Sequence, residues 1–328
     1  MTDRPRVSII TPSYNQAAYL EHTILSVLRQ DYPDLEYFVV DGASDDGSVE
    51  IIRKYADRIA WWVSEPDRGQ GEAINKGFSR ATGEIVAWLN SDDVYLPGAV
   101  ASAVDQLMAN PSCGLVYGDV LSLGAGNEPI HVQRFPQYHL TDLMRFRIIS
   151  QPAVFMRRSA LEECGFLDNR FQLLLDHHLW LRIARQFPLL HHEELWAAAR
   201  YHGAAKNLAR AGQFGEEAFR LVAWMREMPD FAGLYREHEK QIIGGAAWLD
   251  AYYLSLSGAP RQALAAYWKS LRNDPKRALK DWKRVLFTAG SLIGLEGLGK
   301  MLQARKQDEV ARVYRHYLEF IEPHSGVI

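Results

Sequence analysis

Four short apolar runs, at 6 to 11, 35 to 41, 59 to 65 and 85 to 89, alternate with segments whose apolar residues recur at helical spacing. Parallel neighbours need a crossover long enough to hold a helix, so this succession predicts a parallel sheet with helices on both faces. "RVSIIT" is the first buried-strand candidate, and "AYLEHTILSVLRQ" after it puts Leu20, Ile24, Val27 and Leu28 on one helical face. "LEYFVVD" is the second strand, followed by a helix carrying Val49 and Ile52. "IAWWVSE" is the third, and a helix with Ile74 and Phe78 leads into the fourth, Ile85 to Leu89.

Beyond this alternation the pattern changes twice. From about 114 to 203 it is mixed, with short strands in "GLVYGDV" and "PAVFMRR" and a helix near 176 to 187. From about 205 it reads as almost entirely helical. "GGAAWLDAYYLSLSGAPRQALAAYWKSLRNDPKRAL" predicts a helix, a Gly-Ala-Pro turn and a second helix closed by Asn-Asp-Pro. It resembles one tetratricopeptide-like hairpin, but no second copy follows at a period of ~34 residues, so it is an appendage and not an array. At 328 residues, 48% of them hydrophobic, the chain exceeds one average domain and can bury a sizeable core. The expected division is 1–204 for the α/β domain and 205–328 for the helical region.

Charge and cysteine content narrow the partners. With 37 basic and 40 acidic residues, the net charge of −3 gives no general attraction to nucleic acid or to an anionic membrane, though local patches stay open. Cys113 and Cys164 show no metal-type spacing and form no disulfide framework, which fits a reducing, cytoplasmic setting. The N-terminus has no signal-type apolar core, and no run reaches the ~18 apolar residues of a membrane span. The nearest approach is "VLFTAGSLIGLEGLG" at 285 to 299, interrupted by Glu296 and glycines. Docking on the inner face of a membrane stays open.

In sheets of this kind ligands sit beyond the carboxyl ends of the strands. Three loops there are rich in polar groups: "TPSYNQ", "DGASDDGS" and "NSDD". Neither a G-x-G-x-x-G after the first strand nor a G-x-x-x-x-G-K-[ST] is present, so the common dinucleotide and P-loop cradles are missing. The fourth strand ends in two adjacent carboxylates, Asp92 and Asp93. They suit a bound cation or a polar turn before the helix that begins near Pro97, and both readings stay open.

Taken in order, "SIITPSYNQAAYLEHTILSVLRQDYPDLEYFVVDGASDDGS" and then "WLNSDD" resemble a family 2 glycosyltransferase of the GT-A fold, over residues 6 to about 203. The resemblance implies a mostly parallel α/β sheet and an inverting transfer of sugar from a nucleotide-diphospho-sugar, a UDP-sugar favoured, to a hydroxyl acceptor. A divalent cation, manganese or magnesium, would assist. It further implies a saccharide or glycolipid acceptor, in polysaccharide or glycolipid synthesis. Donor sugar, linkage and oligomeric state are not implied. Asp92 stands at the second acid of the family's D-x-D motif, with Asp93 beside it, while Asn90 holds the first position, commonly Asp. By the same resemblance Asp41 accepts a hydrogen bond from the nucleobase, and Thr11, Pro12 and Tyr14 form the opposite wall. Asp67, Arg68 and Gly69 in "EPDRGQGEAINKG" lie against the nucleotide or phosphate at a helix start. The bland alternative for Asp41 is an Asx turn with Ala43 or Ser44, and for Arg68 a solvated surface charge.

On the acceptor side, "LLLDHHLWLRIARQF" puts Leu179 and Ile183 on an apolar helix face and Asp176 at the helix N-terminus. The match to the family's acidic pair before "LWLR" makes Asp176 the general base, with Leu175 in place of the first acid, and places His178 and Trp180 nearby. An ordinary helix cap is the other reading of Asp176. Gln151 resembles a residue of the sugar pocket, and His202 a late family histidine near phosphate or metal. Competing functions are a nucleotidyltransferase, which would be expected to carry a Gly-rich basic phosphate loop, and a catalytically silent binding module with a scaffolding tail.

Overall fold

The computed structural model describes residues 4–203, 205, 209–292, 310, 313, 314 and 317. From 293 onward the expected helical tail therefore lies largely outside the described residues. The elements run β1 (Val7–Ser13), α1 (Ala17–Leu28), β2 (Leu35–Asp41), α2 (Ser48–Lys54), β3 (Trp61–Ser64), α3 (Gln70–Phe78), β4 (Ile85–Trp88), β5 (Val94–Tyr95), α4 (Ala99–Ala109), β6 (Leu115–Gly124) and β7 (Pro129–Gln133). Then follow α5 (Leu140–Met144), β8 (Val154–Arg157), α6 (Arg158–Cys164), α7 (Leu175–Gln186) and β9 (Leu189–Tyr201). The helical region comprises α8 (Phe214–Glu227), α9 (Pro229–Leu256), α10 (Pro260–Asn273), α11 (Pro275–Lys280) and α12 (Trp282–Ser291).

One nine-stranded sheet has the order β3-β2-β1-β4-β8-β6-β9-β5, with β7 on β6. The first four strands pair in parallel, as their alternation with helices requires. Beyond β4 the sheet is mixed: β8 is antiparallel to β4 and β6, β9 runs parallel to β6, and β5 is antiparallel to β9. The register aligns Ser13 with Asp41 and Asp41 with Ser64, so three polar residues meet at one end of the sheet. The strands above that level are buried and apolar, with Val7, Ile9, Val39, Ile85 and Ala87 packed against Leu20, Ile24 and Val27 of α1 and Ile52 of α2. Burying one such side chain contributes about 1.5–3 kcal/mol, which is why the apolar periodicity fixes these elements.

The chain divides into two compact units, one comprising residues up to 137, 149–201 and the stretch from 309, the other 138–148 and 202–308. Tyr138–Ile148, inside the expected α/β domain by sequence, groups with the helical unit. There the buried Arg277 donates to the backbone oxygens of Arg145 and Phe146, and burial pushes its guanidinium down to about 9. The α9–α10 hairpin is closed by Ser270 Oγ donating to Gly244 O at 2.8 Å and turns at Gly258, whose φ is 77°. α9 is interrupted at His238, where φ is −117°.

Candidate functional site

The loops after β1 and β2 are stitched to each other. Asn15 N–H donates to Ser44 Oγ (2.8 Å), Asp45 N–H to Asn15 Oδ1 (3.1 Å), Gln16 N–H to Ser48 Oγ (3.2 Å) and Ala17 N–H to Asp46 Oδ2 (2.8 Å). Asp46 thereby satisfies an orphan N–H at the start of α1 while also accepting from Ser48 N–H in α2 (3.0 Å). Two non-glycine residues here have left-handed backbones, Asn15 at φ 50° and Ala43 at φ 63°. Strain of this kind, about 1–3 kcal/mol per residue, persists only where the surroundings enforce it.

Asp41 is what enforces it. It is fully buried and accepts three hydrogen bonds, from Ser44 N–H (2.9 Å), Ser44 Oγ (2.6 Å) and Ser64 Oγ (2.7 Å). The Asx turn with Ser44 is therefore present. Oδ2 takes two of the three donors and Oδ1 one, so a lone-pair direction of Oδ1 stays unused. Thr11 and Pro12 are buried in β1, Thr11 accepting from Tyr37 Oη (3.0 Å), whereas Tyr14 is 63% exposed at the rim. A Cβ on Gly42 would stand 2.9 Å from Asp67 Oδ2 and 3.2 Å from the Tyr14 ring, so Gly42, Asp67 and Tyr14 converge on one point. A shallow cleft of about 600 Å3 beside it is lined by Ser44, Asp45, Trp62 and Ser64 and includes nothing from 90–93.

Asp67 Oδ1 accepts from Gly69 N–H (2.8 Å), which turns the chain into α3 at a backbone, φ 121°, open to glycine. Arg68 points outward, its side chain 82% exposed and paired with Glu72 at 2.8 Å. That pairing holds the Glu72 carboxyl below its ordinary range. Asn75 brackets Leu167, donating to its carbonyl (2.8 Å) and accepting from its N–H (3.0 Å), and so ties α3 to the chain leading into α7.

The turn after β4 is held by residues far away in sequence. Asn90 accepts from Gln70 Nε2 (2.6 Å) and donates to Asp93 Oδ2 (3.3 Å). The other oxygen of Asp93 accepts from Arg200 N–H in β9 (3.0 Å), and its carbonyl accepts from Thr23 Oγ1 (2.7 Å). Arg200, itself 3% exposed, donates to the Asp92 carbonyl and to Asn127 Oδ1 (2.7 Å) and stacks over Tyr19. Burial, then the neighbouring Asp92 charge, raise the Asp93 carboxyl well above its ordinary range. Asp92 is half-buried at the corner of the turn. Among the described residues no group of three or more His, Cys, Asp and Glu could hold a metal. A magnesium or manganese ion takes one or two protein carboxylates together with water and substrate phosphates. Asp93 is buried and Asp92 half-buried at the turn, so of the two carboxylates Asp92 is the better placed for such an ion.

The remaining residues divide between surface and core. Asp176 lies half-buried in the first turn of α7, with Oδ1 accepting from His177 N–H (2.7 Å). One helical turn on, Trp180 is fully buried and stacks on Trp88 at 5.2 Å between centroids, so it anchors α7 to the end of β4 from beneath. His178 is 2% exposed and packed on Phe171, and burial, reinforced by Arg182, pushes its imidazole down to about 3. Gln151 is buried with Nε2 donating to Trp88 O (2.7 Å), while its Oε1 has no partner among the described residues. His202 is buried directly after β9 and groups with the helical unit. Sequence reasoning missed Arg200, Gln70, Ser64 and Tyr19. Arg200 carried one signal, a lone cation inside the apolar "LWAAARY" run.

Comparison with known proteins bears on this geometry. The family model described as Glycosyl transferase family 2 matches residues 8–165. An uncharacterized glycosyltransferase of Mycobacterium tuberculosis is 30% identical over 192 residues, 56% of this chain and 71% of that protein. One from Rickettsia conorii is 31% identical over 206 residues, 60% of this chain, and the chain spans about a third (34%) of that relative's length. Among solved structures, a mannosyltransferase of Pyrobaculum calidifontis in complex with GDP-Man and Mn2+ superposes with a TM-score of 0.60 at 22% identity, covering 96% of this chain and 88% of that one. The S. aureus TarS fragment 1-349 in complex with UDP-GlcNAc gives 0.55 at 16%, covering 85% and 92%.

Proposed function

The chain belongs to the glycosyl transferase family 2, and from that premise we propose that it moves a glycosyl group from a nucleotide-diphospho-sugar to an acceptor hydroxyl with inversion at the anomeric carbon. Its fold is that of GT-A glycosyltransferases. The observation that carries the reading is the gathering of three elements at one end of the sheet. They are the Asp41 loop pair, the 90–93 turn, and the first turn of α7, which the Trp88–Trp180 stack ties to the strand ending two residues before Asn90.

Each element has a task. The loop pair with Tyr14 and Asp67 receives the nucleotide, and the unused lone pair of Asp41 Oδ1 suits a ring N–H such as that of uracil, which favours a UDP-sugar. The first turn of α3, directly after Gly69, would turn its backbone N–H groups to phosphate. Asp92 would hold a magnesium or manganese ion, whose chemistry there is neutralisation of charge on the departing diphosphate. Gln151 Oε1, buried and without a partner among the described residues, suits a hydroxyl donor of the sugar. Asp176 takes the proton of the acceptor hydroxyl as its oxygen attacks the anomeric carbon, and the electron pair of the breaking bond leaves with the diphosphate. The acceptor is a saccharide or glycolipid.

Asp176→Asn tests the assignment. Asn keeps the size and the capping ability of Asp but cannot accept the proton. Donor affinity should match the parent while transfer falls ~10²–10⁴-fold. Near-parental transfer would show that Asp176 is a helix cap only. Thermal shift with UDP-, GDP- and dTDP-sugars, with and without manganese, reads the donor class, since a donor that binds raises apparent stability. A shift with GDP-sugars alone would overturn the uracil assignment.

A further inference from the structure

We propose that the α11–α12 end of the helical unit is a docking surface for an anionic lipid bilayer. A helix in a globular unit normally turns its apolar stripe inward. α12 does the reverse: of its ten residues only Thr288 is buried, while Trp282 is 52%, Leu286 59% and Phe287 47% exposed. Trp282 and Leu286 stand one turn apart on one face, and Leu279 on α11 (63%) and Leu292 after α12 (44%) extend the apolar surface at either end. Large exposed apolar side chains grouped in this way mark an interaction site.

Charge identifies the occupant. α11 and α12 carry four exposed cations, Lys276, Lys280, Lys283 and Arg284, beside two half-buried acids, Asp274 and Asp281, one at the start of each helix, in a chain whose net charge is −3. Lys276, Lys280 and Lys283 are exposed and form no ion pair among the described residues. Arg284 is exposed too, and lies over the Tyr252 ring. Lysines interleaved with Trp, Leu and Phe are what a helix needs to lie in the plane of a bilayer. The rings and aliphatic groups enter the acyl boundary, and the ammonium heads reach the lipid phosphates. A helix of ten residues is ~15 Å long, and no helix among the described residues is long and apolar enough to span a membrane, so the contact is peripheral. The surface includes residues 285 to 292 of the segment noted above as the nearest approach to a span, and it does not depend on the donor reading.

The full chain is sedimented with vesicles of phosphatidylcholine alone and of phosphatidylcholine mixed with phosphatidylglycerol. Binding is expected to the mixed vesicles only, and to be released at ~1 M salt, where the screening length is about 3 Å. The double variant Lys280→Glu/Lys283→Glu should lose roughly twentyfold in affinity or more, at about fivefold per lysine. Trp282→Ser/Phe287→Ser should abolish binding with its circular-dichroism melting unchanged. Failure to bind either vesicle, equal binding to both, or indifference to both variants would overturn the proposal. So would concentration-dependent self-association that Trp282→Ser/Phe287→Ser abolishes, which would make the patch a contact between copies of this chain.

Discussion

Two loops at the same end of the sheet are held in opposite ways. The pair after β1 and β2 is fixed by neutral and acidic side chains bonding to backbone within about thirty residues of chain, as Asn15 to Ser44 and Asp46 to Ala17. The 90–93 turn is fixed by Arg200, whose N–H meets Asp93 across 107 residues and whose guanidinium meets the Asp92 carbonyl. The first loops are largely exposed and built from individually modest bonds, each worth about 0.5–1.5 kcal/mol net. The second is a buried hydrogen-bonded network around one guanidinium, in which removing a member leaves a buried polar partner unsatisfied. Substitutions in the first should therefore reach binding before stability, and substitutions in the second should reach stability before binding.

The largest expected effect is at Arg200. Arg200→Ala removes the guanidinium from the Asp92 carbonyl and from Asn127 and so frees the turn that presents Asp92. The backbone N–H to Asp93 survives the change, but the Asp92 carbonyl and Asn127 Oδ1 lose their donor, at about 1–3 kcal/mol for each acceptor left unsatisfied, and the packing over Tyr19 is lost as well. Urea unfolding should show that loss, and Arg200→Lys should recover only part of it, because an ammonium cannot reach Asn127 and the Asp92 carbonyl together in the guanidinium's fixed fork. A loss below about 1 kcal/mol would put Arg200 with ordinary surface cations, whose ion pairs are worth no more than that, and would erase the contrast between the loops.

Asp41 sits between the extremes, buried like Arg200 but bonded to near neighbours. Asp41→Ala strands Ser44 N–H, and the two serine hydroxyls can turn elsewhere, so the expected cost is about 1–3 kcal/mol. The release of Ala43 from its left-handed backbone offsets some of that. Donor-dependent thermal shift should disappear in the same variant, at a temperature where the protein is still folded. A variant that keeps the full shift would show that the nucleotide does not depend on this loop.

The same contrast explains what the sequence made legible. β2 coincides with "LEYFVVD", and α7 with the apolar stripe through Leu179 and Ile183, because both are set by patterns within a dozen residues. The Asx turn at Asp41 was readable for the same reason. The pattern does not mark β9 as a strand: "HHEELWAAAR" carries helix-forming Glu, Leu and Ala, and becomes extended through its pairing with β6, on average some seventy-five residues upstream, and with β5. Arg200 shows only as a lone cation in that run, and its partners, Asp93 and Asp92, are set by the strand pairing. The burial of Trp180 and His178 beneath Asp176 also follows from tertiary packing, since the helical pattern alone leaves open how deep α7 sits.

His178 yields a smaller and sharper effect. Its imidazole is held neutral in the folded protein by burial, so protonation favours unfolding. The stabilisation is complete above the unfolded value near 6.5 and is lost as pH falls toward about 3. Between pH 6.5 and 5.5 the parent should lose about 1 kcal/mol that a His178→Gln variant keeps. Equal slopes in the two proteins would mean that the imidazole titrates with solvent, and that α7 opens more readily than its packing on Phe171 implies.

The smallest structural effect, and the best separation of binding from stability, belongs to Arg68. Its side chain is exposed, and its pairing with Glu72 is of the i,i+4 kind that helices make on their surfaces. Arg68→Ala should leave the melting temperature unchanged within error, because solvent and salt screen the pair on both sides. Donor affinity is the informative reading. If Arg68 turns from Glu72 to the diphosphate when donor binds, the variant loses a charge-assisted contact worth roughly ten- to a hundredfold in affinity, and that loss shrinks as salt is raised. If Arg68 is a solvated charge, affinity stays at the parental value in low salt as well. Glu72→Gln separates the two cases further: freeing Arg68 from its partner should tighten donor binding in the first and leave it unchanged in the second.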